Sequence, residues 1–151
     1  MNNKKIFVMI KSENDDLFNL PFFYIPKNEF DIKKFIETHY FSFQQRDIVE
    51  HDISKKQIIP YIIIQDSQNR FFIYRRKGNE KRLHGFYSSG TGGHIDYEDI
   101  KENIKKEAPL DSNYFKINIS NFYEIIKKTL LRELYEETGI EINDRDFEKR
   151  I

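Results

Sequence analysis

Three glutamates near the end of the chain have the spacing of a carboxylate cluster on one helix face. Glu133, Glu136 and Glu137 stand at positions i, i+3 and i+4 of a stretch, 121–138, whose residues predict a helix. A step of 100° per residue places all three on one side of that helix. Like charges at this spacing destabilise an isolated helix by about 0.2–0.5 kcal/mol, and a divalent cation would reverse the sign of that interaction. The spacing predicts a metal site; the alternative is a solvated glutamate-rich surface.

The composition restricts the metal that such a site would take. The chain has no cysteine and only four histidines, none of them paired in the sequence. Hard carboxylate oxygens without thiolate or imidazole partners favour Mg²⁺ or Mn²⁺ over Zn²⁺. The absence of cysteine also excludes a disulfide framework and a cysteine nucleophile, and it fits a reducing compartment.

A glycine-rich segment precedes the glutamates. Residues 88–95 read SSGTGGHI, and five of the six glycines fall between positions 78 and 93. Backbone without side chains can present N–H groups to phosphate oxygens and carbonyls to a metal. Basic residues stand just before it: Arg75, Arg76, Lys77, Lys81 and Arg82. The pattern predicts a polyphosphate site; the alternative is that the glycines serve turns and the arginines end a solvated strand. His94 is expected to pack or to make a loop hydrogen bond rather than to bind metal.

A long helix must position the glutamates. Within 121–138, Ile126, Leu130 and Leu134 recur every four residues, beside the carboxylate face rather than opposite it. Burial of this stripe would leave the carboxylates at the rim of the core. Asn121 followed by Glu124 resembles a capping box, and Gly139 stands where a left-handed C-cap belongs.

The remaining elements are expected to support this helix and the glycine loop. We predict strands at 5–10 and 22–25, a helix at 31–39 capped by Asp31, a connection at 44–56, a hairpin formed by 60–64 and 71–76, a helix at 97–106 and extended structure at 140–142. This order, in a chain of one domain's length, predicts a single domain over 1–151 of the mixed α/β or α+β class.

Together these segments resemble the Nudix hydrolases. The signature of that family is a glycine, five residues, Glu, seven residues and then Arg-Glu-apolar-x-Glu-Glu-x-Gly-apolar. Glu124, seven residues and the run from Arg132 to Ile140, RELYEETGI, match every fixed position of its second half. Gly93 precedes Arg132 by 39 positions rather than fourteen, which indicates an insertion at about 99–123. Asp99 stands where an uninterrupted signature has its first glutamate, but Glu124 is the preferred candidate because it lies on the helix.

The resemblance implies a fold as well as a site. It covers about 60–142 and leaves 1–50 without a motif. It implies an α/β/α sandwich of Nudix type, an α+β fold with a mixed sheet. The chain stops twelve residues after Gly139, where such domains continue with further strands. We therefore expect a sheet that is incomplete at the C-terminus, or a homodimer that completes it.

The resemblance also implies a reaction, the cleavage of the diphosphate linkage in a nucleoside diphosphate linked to another group, with Mg²⁺ or Mn²⁺. The implied metal ligands are Glu133, Glu136, Glu137 and the carbonyl of Gly92. Arg132 is implied as an orienting residue paired with Glu124, and the implied substrate side comprises Arg75, Arg76, Arg82 and Gly93. The substrate would be a small-molecule phosphoanhydride whose leaving group the signature does not specify. The alternative is a non-hydrolysing nucleotide-binding or regulatory domain, whereas an isopentenyl-diphosphate isomerase-like activity is disfavoured because those enzymes use a cysteine.

The overall charge speaks against two further classes of partner. Twenty-five Lys and Arg balance twenty-five Asp and Glu, so no global field attracts the protein to nucleic acid or to an anionic membrane. No apolar run approaches the length of a membrane span, and the one near the N-terminus is too short for a signal peptide. The expectation is a soluble cytoplasmic protein.

Overall fold

The computed structural model describes residues 4–11, 24–26, 28–76, 84–104 and 114–142, with side chains up to 101 in the fourth of these ranges. Its elements in chain order are β1 (Lys5–Ile10), α1 (Ile32–Thr38), β2 (Tyr40–Gln45), α2 (Arg46–Val49), β3 (Lys55–Gln57), β4 (Tyr61–Ile63), β5 (Tyr74–Arg75), β6 (Tyr87–Ser88), β7 (Gly90–Gly92), α3 (Tyr97–Ile104) and α4 (Ile119–Thr138).

The strands β1, β2 and β3 form a three-stranded antiparallel sheet with the order β2-β1-β3. β1 is a continuous apolar run, as expected of a strand that is buried on both faces. Phe7 and Met9 belong to the main core, whereas Ile6 and Val8 pack with Val49 of α2 in a second, smaller cluster. The main core is shared by β1, β2 and α4, because Phe122, Ile125, Ile126 and Leu130 of the helix belong to the same cluster as Phe7 and Phe41.

The glycine-rich part of the chain forms two small strand pairs. The predicted hairpin of 60–64 with 71–76 is observed only next to its turn, where Gln65 and Phe71 form a bridge; β4 pairs instead with β7, and β5 with β6. Every strand pair within the described residues is antiparallel, so the predicted mixed sheet is wrong for this part of the chain. The α+β class is confirmed, and the Nudix-type sandwich stays a prediction.

α4 carries the three glutamates and is the longest helix in the described residues. The predicted stripe is buried, and it is widened by Phe122, Ile125 and Thr129. Gly139 ends the helix in the left-handed conformation, with φ of 72°, and its N–H donates to the carbonyl of Tyr135 at 2.8 Å. The predicted capping box is wrong, since the helix begins earlier and Asn118 accepts from the N–H of Asn121 at 2.8 Å.

Loss of the Asn118 cap is expected to destabilise the protein measurably. Asn118→Ala leaves the first-turn N–H of α4 without this acceptor and should lower the free energy of unfolding by about 1 kcal/mol. Asn121→Ala, inside the helix, is the matched control and should change it by less than half as much. Urea titrations followed by circular dichroism measure both, and equal losses would contradict the assignment of the cap.

The other element predictions have mixed outcomes. Strand 5–10 and the Asp31-capped helix are confirmed, and the second predicted helix is observed as α3. Tyr24 and Ile25 are not in a strand, while residues 22–23 of that prediction lie outside the described residues. Residues 44–56, predicted to be a connection, contain the end of β2, α2 and the start of β3, and residues 140–142 form no strand. None of the helices in the described residues has the length and apolar character needed to cross a membrane.

Candidate functional site

The glycine loop packs directly against the carboxylate face of α4. A Cβ on Gly93 would lie 2.1 Å from Oε1 and 2.4 Å from Oε2 of Glu133, so only glycine leaves room for that carboxylate. Gly90 and Gly92 serve a different contact, because a Cβ there would lie 2.2 Å from the carbonyl oxygen of Ile62 or 2.3 Å from that of Pro60. Two glycines therefore permit the close pairing of β7 with β4, and the third admits Glu133.

Arg132 joins α4 to the loop and to α3. Its Nη2 donates to the carbonyl of His94 at 3.0 Å, and its Nε donates to Oδ2 of Asp99 at 3.0 Å. Its Nη1 contacts Glu133 at 2.8 Å and Glu136 at 3.0 Å. Burial alone would lower the pKa of Arg132, but Asp99 and Glu133 outweigh it and raise this pKa above its usual value. The guanidinium therefore fixes the helix relative to two other elements.

The expected pairing of Arg132 with Glu124 is wrong. Asp99 of α3 takes that place, and Glu124 is exposed to solvent. Arg132 lies eight positions after Glu124, which is about 12 Å along a helix axis and beyond the reach of the two side chains. The predicted insertion, at about 99–123, therefore begins within α3, which starts at Tyr97 and contributes Asp99 to the site. Residues 105–113 of the insertion lie outside the described part of the chain.

Glu137 is oriented by two hydroxyl groups from the strands. Thr91 Oγ1 donates to Glu137 Oε2 at 2.5 Å, and the Tyr74 hydroxyl donates to the same oxygen at 3.3 Å. Burial is the main cause that raises the pKa of Tyr74, and the negative charge of Glu137 adds to it. The hydrogen bond with Ser88 opposes both but does not cancel them. Tyr74 therefore remains a donor at neutral pH, and one oxygen of Glu137 is held in place while the side chain stays exposed.

Glu133 is the most enclosed of the three glutamates. Its side chain is 13% exposed, against 56% for Glu136. Burial raises the pKa of Glu133 above its usual value, the charges of Glu136 and Glu137 add to this effect, and Arg132 opposes it. A nearby cation other than Arg132 would therefore be bound favourably at this carboxylate.

All three glutamates line one cavity of about 430 Å³ together with basic residues from the rest of the fold. Besides the glutamates, its wall comprises Lys4, Ile6, Arg46, Ile59, Arg76, Gly92, Gly93, His94, Asp96 and Arg132. Of the predicted substrate-binding residues, Arg76 and Gly93 are in this wall. Arg75 is exposed and does not line the cavity, and Arg82 lies outside the described residues. Glu124, predicted to be catalytic, is also absent from the wall.

Several residues of the wall were not identified from the sequence. Lys4 and Arg46 flank the paired strands β1 and β2, and the Arg46 N–H donates to the Lys4 carbonyl at 3.3 Å. Lys4 Nζ lies 2.5 Å from Oδ2 of Asp96, a carboxylate that is 8% exposed. Asp96 Oδ1 is buried and has no hydrogen-bond partner among the residues described. No local motif marks these residues, because the backbone pairing of Ile6 with Asp96 brings them to the loop.

His94 makes the loop hydrogen bond expected of it. Its Nε2 lies 2.6 Å from Oε1 of Gln57 at the end of β3. Burial, with a further contribution from Arg46, lowers the pKa of His94. A neutral ring with its proton on Nε2 can donate to the Gln57 oxygen, so this bond connects the glycine loop to the three-stranded sheet.

The donor set fits Mg²⁺ or Mn²⁺ in its chemistry. Three carboxylates of one helix face open into the cavity, and the space at Gly93 that a Cβ would fill is occupied by the Glu133 carboxylate. As positioned, no three acidic or histidine side chains in the described ranges converge closely enough to hold a metal ion. Arg132 Nη1 contacts both Glu133 and Glu136, so their convergence requires this arginine to give up at least one contact.

Comparison with known proteins finds a similar bacterial protein. Protein YmaB of Bacillus subtilis (strain 168) is 34% identical over 113 residues, which cover 74% of this chain and 44% of that protein. The chain thus spans less than half of the length of this relative. No protein-family model and no solved structure matches the chain.

Proposed function

We propose that the protein is a Mg²⁺- or Mn²⁺-dependent hydrolase that cleaves the diphosphate linkage of a nucleoside diphosphate linked to another group. The observation that carries this proposal is the composition of the cavity wall. Four acidic residues, three of them from one face of α4, share the wall with four basic residues. A wall with equal numbers of acidic and basic side chains suits two ligands at once. The acidic side chains would hold a divalent cation, and the cation and the basic side chains would hold phosphate oxygens.

The metal would be held by Glu133, Glu136 and Glu137, with the Gly92 carbonyl as a further ligand. When bound, it supplies Lewis-acid activation of a water molecule and of the phosphate. Lys4, Arg46 and Arg76 bind the phosphate oxygens and offset the charge of the departing phosphate. The water oxygen forms a bond to one phosphorus, and the bridging P–O bond breaks with its electron pair on the leaving phosphate.

Glu133 has the properties of the group that takes the proton from the attacking water. It is the most enclosed of the three carboxylates, and burial raises its pKa in the metal-free protein. When Arg132 gives up its contact with Oε1, one oxygen of Glu133 would hold the metal and the other would take the proton. Arg132 and Asp99 act as positioning residues, because together they fix α4 against α3 and the loop.

Turnover that requires a divalent metal is the first expected result. Nucleotide-sugars, dinucleoside polyphosphates and ADP-ribose should each be incubated with Mg²⁺, Mn²⁺ or EDTA, and product release followed by ³¹P NMR. We expect hydrolysis of at least one of these substrates with metal and none with EDTA. At a hundredfold excess over its Kd, Mn²⁺ should also raise the Tm by about 5–11 °C. Turnover in EDTA would contradict the proposal.

A second function is favoured by the position of Arg132. Its Nη1 contacts two of the three proposed metal ligands, and this internal cation offsets part of their negative charge without a metal. A domain that binds a nucleotide without hydrolysing it would keep this arrangement. That function predicts nucleotide binding by calorimetry, no release of product from any substrate and no Tm shift with Mn²⁺.

A further inference from the structure

Asp96 is a buried carboxylate in the wall of the cavity, and the reaction proposed above gives it no role. Its Oδ1 has no hydrogen-bond partner among the residues that the structure describes. The backbone nevertheless holds Asp96 in place, because it forms a bridge with Ile6 of β1. Buried acceptors in folded proteins are nearly always paired, so an acceptor that is held here without a donor indicates a partner that arrives in another state of the protein.

Two cations lie beside the other oxygen of Asp96. Lys4 Nζ is 2.5 Å from Oδ2, and Arg132 Nη2 is 3.6 Å from the same atom. The second distance is too long for a hydrogen bond, so this contact is electrostatic. A movement of the guanidinium by about 0.6 Å would bring the pair to ordinary hydrogen-bond distance. Asp96 is therefore an acceptor that Arg132 can reach with little movement.

The contacts of Arg132 fall into two groups. Nε donates to Asp99 and Nη2 donates to the carbonyl of His94, and neither acceptor is a proposed metal ligand. Nη1 contacts Glu133 at 2.8 Å and Glu136 at 3.0 Å, and both of these are proposed ligands. A divalent cation at the two glutamates would repel the guanidinium, so Nη1 has to leave them when the metal binds.

The charges around Arg132 balance if its guanidinium moves to Asp96. The Arg132 side chain is only 22% exposed, and a cation in such a position is costly unless a carboxylate pairs with it. After the move, two cations, Lys4 and Arg132, share two carboxylates, Asp96 and Asp99. All three glutamates are then available to the metal.

We propose that Asp96 is a positioning residue that accepts the Arg132 guanidinium when a divalent cation binds Glu133 and Glu136. In the metal-free protein, Arg132 bridges the two glutamates and keeps them from converging on one point. In the metal-bound protein, the guanidinium rests on Asp96 and Asp99, and the glutamates converge on the ion. The proposal rests on the metal site of the proposed function, but metal binding can be measured without substrate and without turnover.

A double-mutant cycle on Mn²⁺ affinity tests the proposal, with the free ion measured by electron paramagnetic resonance. Asp96→Asn keeps the shape of the side chain and removes its charge. It should weaken Mn²⁺ binding by about tenfold or more, as is usual when a residue that orients metal ligands is changed. In an Arg132→Gln background the same substitution should weaken binding by less than about threefold, because no guanidinium has to be held away from the glutamates. A tenfold loss in both backgrounds would overturn the proposal, since Asp96 would then act through its own charge.

Two further comparisons make the cycle specific. In a Lys4→Gln background, Asp96→Asn should keep its tenfold loss, and disappearance of the loss there would show that Asp96 acts through Lys4 instead. Asp66→Asn is the matched control, because Asp66 pairs with Arg70 at 2.6 Å and is absent from the cavity wall. It should leave Mn²⁺ affinity unchanged, and a tenfold loss in this variant would also overturn the proposal.

NMR of the wild-type protein tests the same movement without a substitution at position 132. With ¹³C-labelled Asp and Glu carboxylates, Mg²⁺ should shift the Asp96 signal with the same midpoint as those of Glu133 and Glu136. This shift should exceed that of Asp99, whose contact with Arg132 persists, and a smaller shift at Asp96 would overturn the proposal. Metal binding without hydrolysis would refute only the proposed reaction. Metal binding with an Asp96 effect that is independent of Arg132 would refute only the positioning role, and no metal binding would refute both.

Discussion

Glu137→Gln is expected to lower kcat/KM by about a thousandfold while the protein stays folded. Thr91 and Tyr74 both donate to Oε2 of Glu137, so the glutamine will turn its amide oxygen to these hydroxyls. Its NH₂ group then faces the cavity in place of the second carboxylate oxygen. A proposed metal ligand is thereby exchanged for a donor that repels the cation. Steady-state kinetics over a range of Mn²⁺ concentrations measure the loss.

The stability of the same variant separates a chemical effect from misfolding. Glu137 is exposed, and surface substitutions of this kind usually change stability by no more than about 0.5 kcal/mol. Glu37→Gln, an exposed residue of α1 that pairs with Lys33 at 3.9 Å, is the control and should retain wild-type kcat/KM. Wild-type kcat/KM in Glu137→Gln, at every Mn²⁺ concentration, would remove Glu137 from the site.

The helical part of the site could be predicted from the sequence because its signals are local. The spacing of Glu133, Glu136 and Glu137 determines their shared face, and the stripe beside them determines which side is buried. The end of the helix depends on one residue, Gly139, because glycine adopts positive φ easily. The N-terminal cap was assigned to the wrong residue because Asn118 and Asn121 are chemically equal candidates, and tertiary packing decides between them.

The opposite wall could not be predicted because it depends on pairing between distant segments. Lys4 and Arg46 meet through the register of β1 with β2, and Asp96 joins them through its bridge to Ile6. The choice between Asp99 and Glu124 as the partner of Arg132 likewise depends on where α3 packs. Glu124 is the sequence-based choice because it lies on the same helix as Arg132, whereas the distance along the helix axis rules it out.

The role of the glycines shows how a local signal can have more than one cause. Their clustering predicts a loop whose backbone can approach a ligand closely. At Gly90 and Gly92, however, what approaches is the neighbouring strand β4, and at Gly93 it is a side chain of α4. The sequence alone cannot separate these cases, because each requires only the absence of a Cβ. Substitution can separate them, since a flexible side chain yields more easily than a backbone carbonyl.

Gly93→Ala is therefore expected to impair activity far more than stability. The backbone of Gly93 does not have positive φ, so alanine is compatible with its conformation. The new Cβ would lie 2.1 Å from Glu133 Oε1, and the carboxylate must rotate away. The end of a glutamate side chain moves at low cost, so we expect a loss of less than about 1 kcal/mol in stability. Removal of a metal ligand and proton acceptor should lower kcat/KM by about a hundredfold or more.

Two comparisons make this prediction specific. In Gly90→Ala the nearest atom to the new Cβ is the backbone carbonyl oxygen of Ile62 at 2.2 Å, with the Tyr61 ring next at 2.8 Å, so this substitution should cost about 1–3 kcal/mol in stability. In a double-mutant cycle, Gly93→Ala should add little to Glu133→Gln, because both act on the same carboxylate. Full additivity would show that Gly93 acts elsewhere, and unchanged kinetics in Gly93→Ala would show that the observed position of Glu133 is not needed for the reaction. Non-additivity with intact stability would tie the glycine to that carboxylate, because the three atoms nearest to a Cβ at Gly93 all belong to the carboxylate group of Glu133.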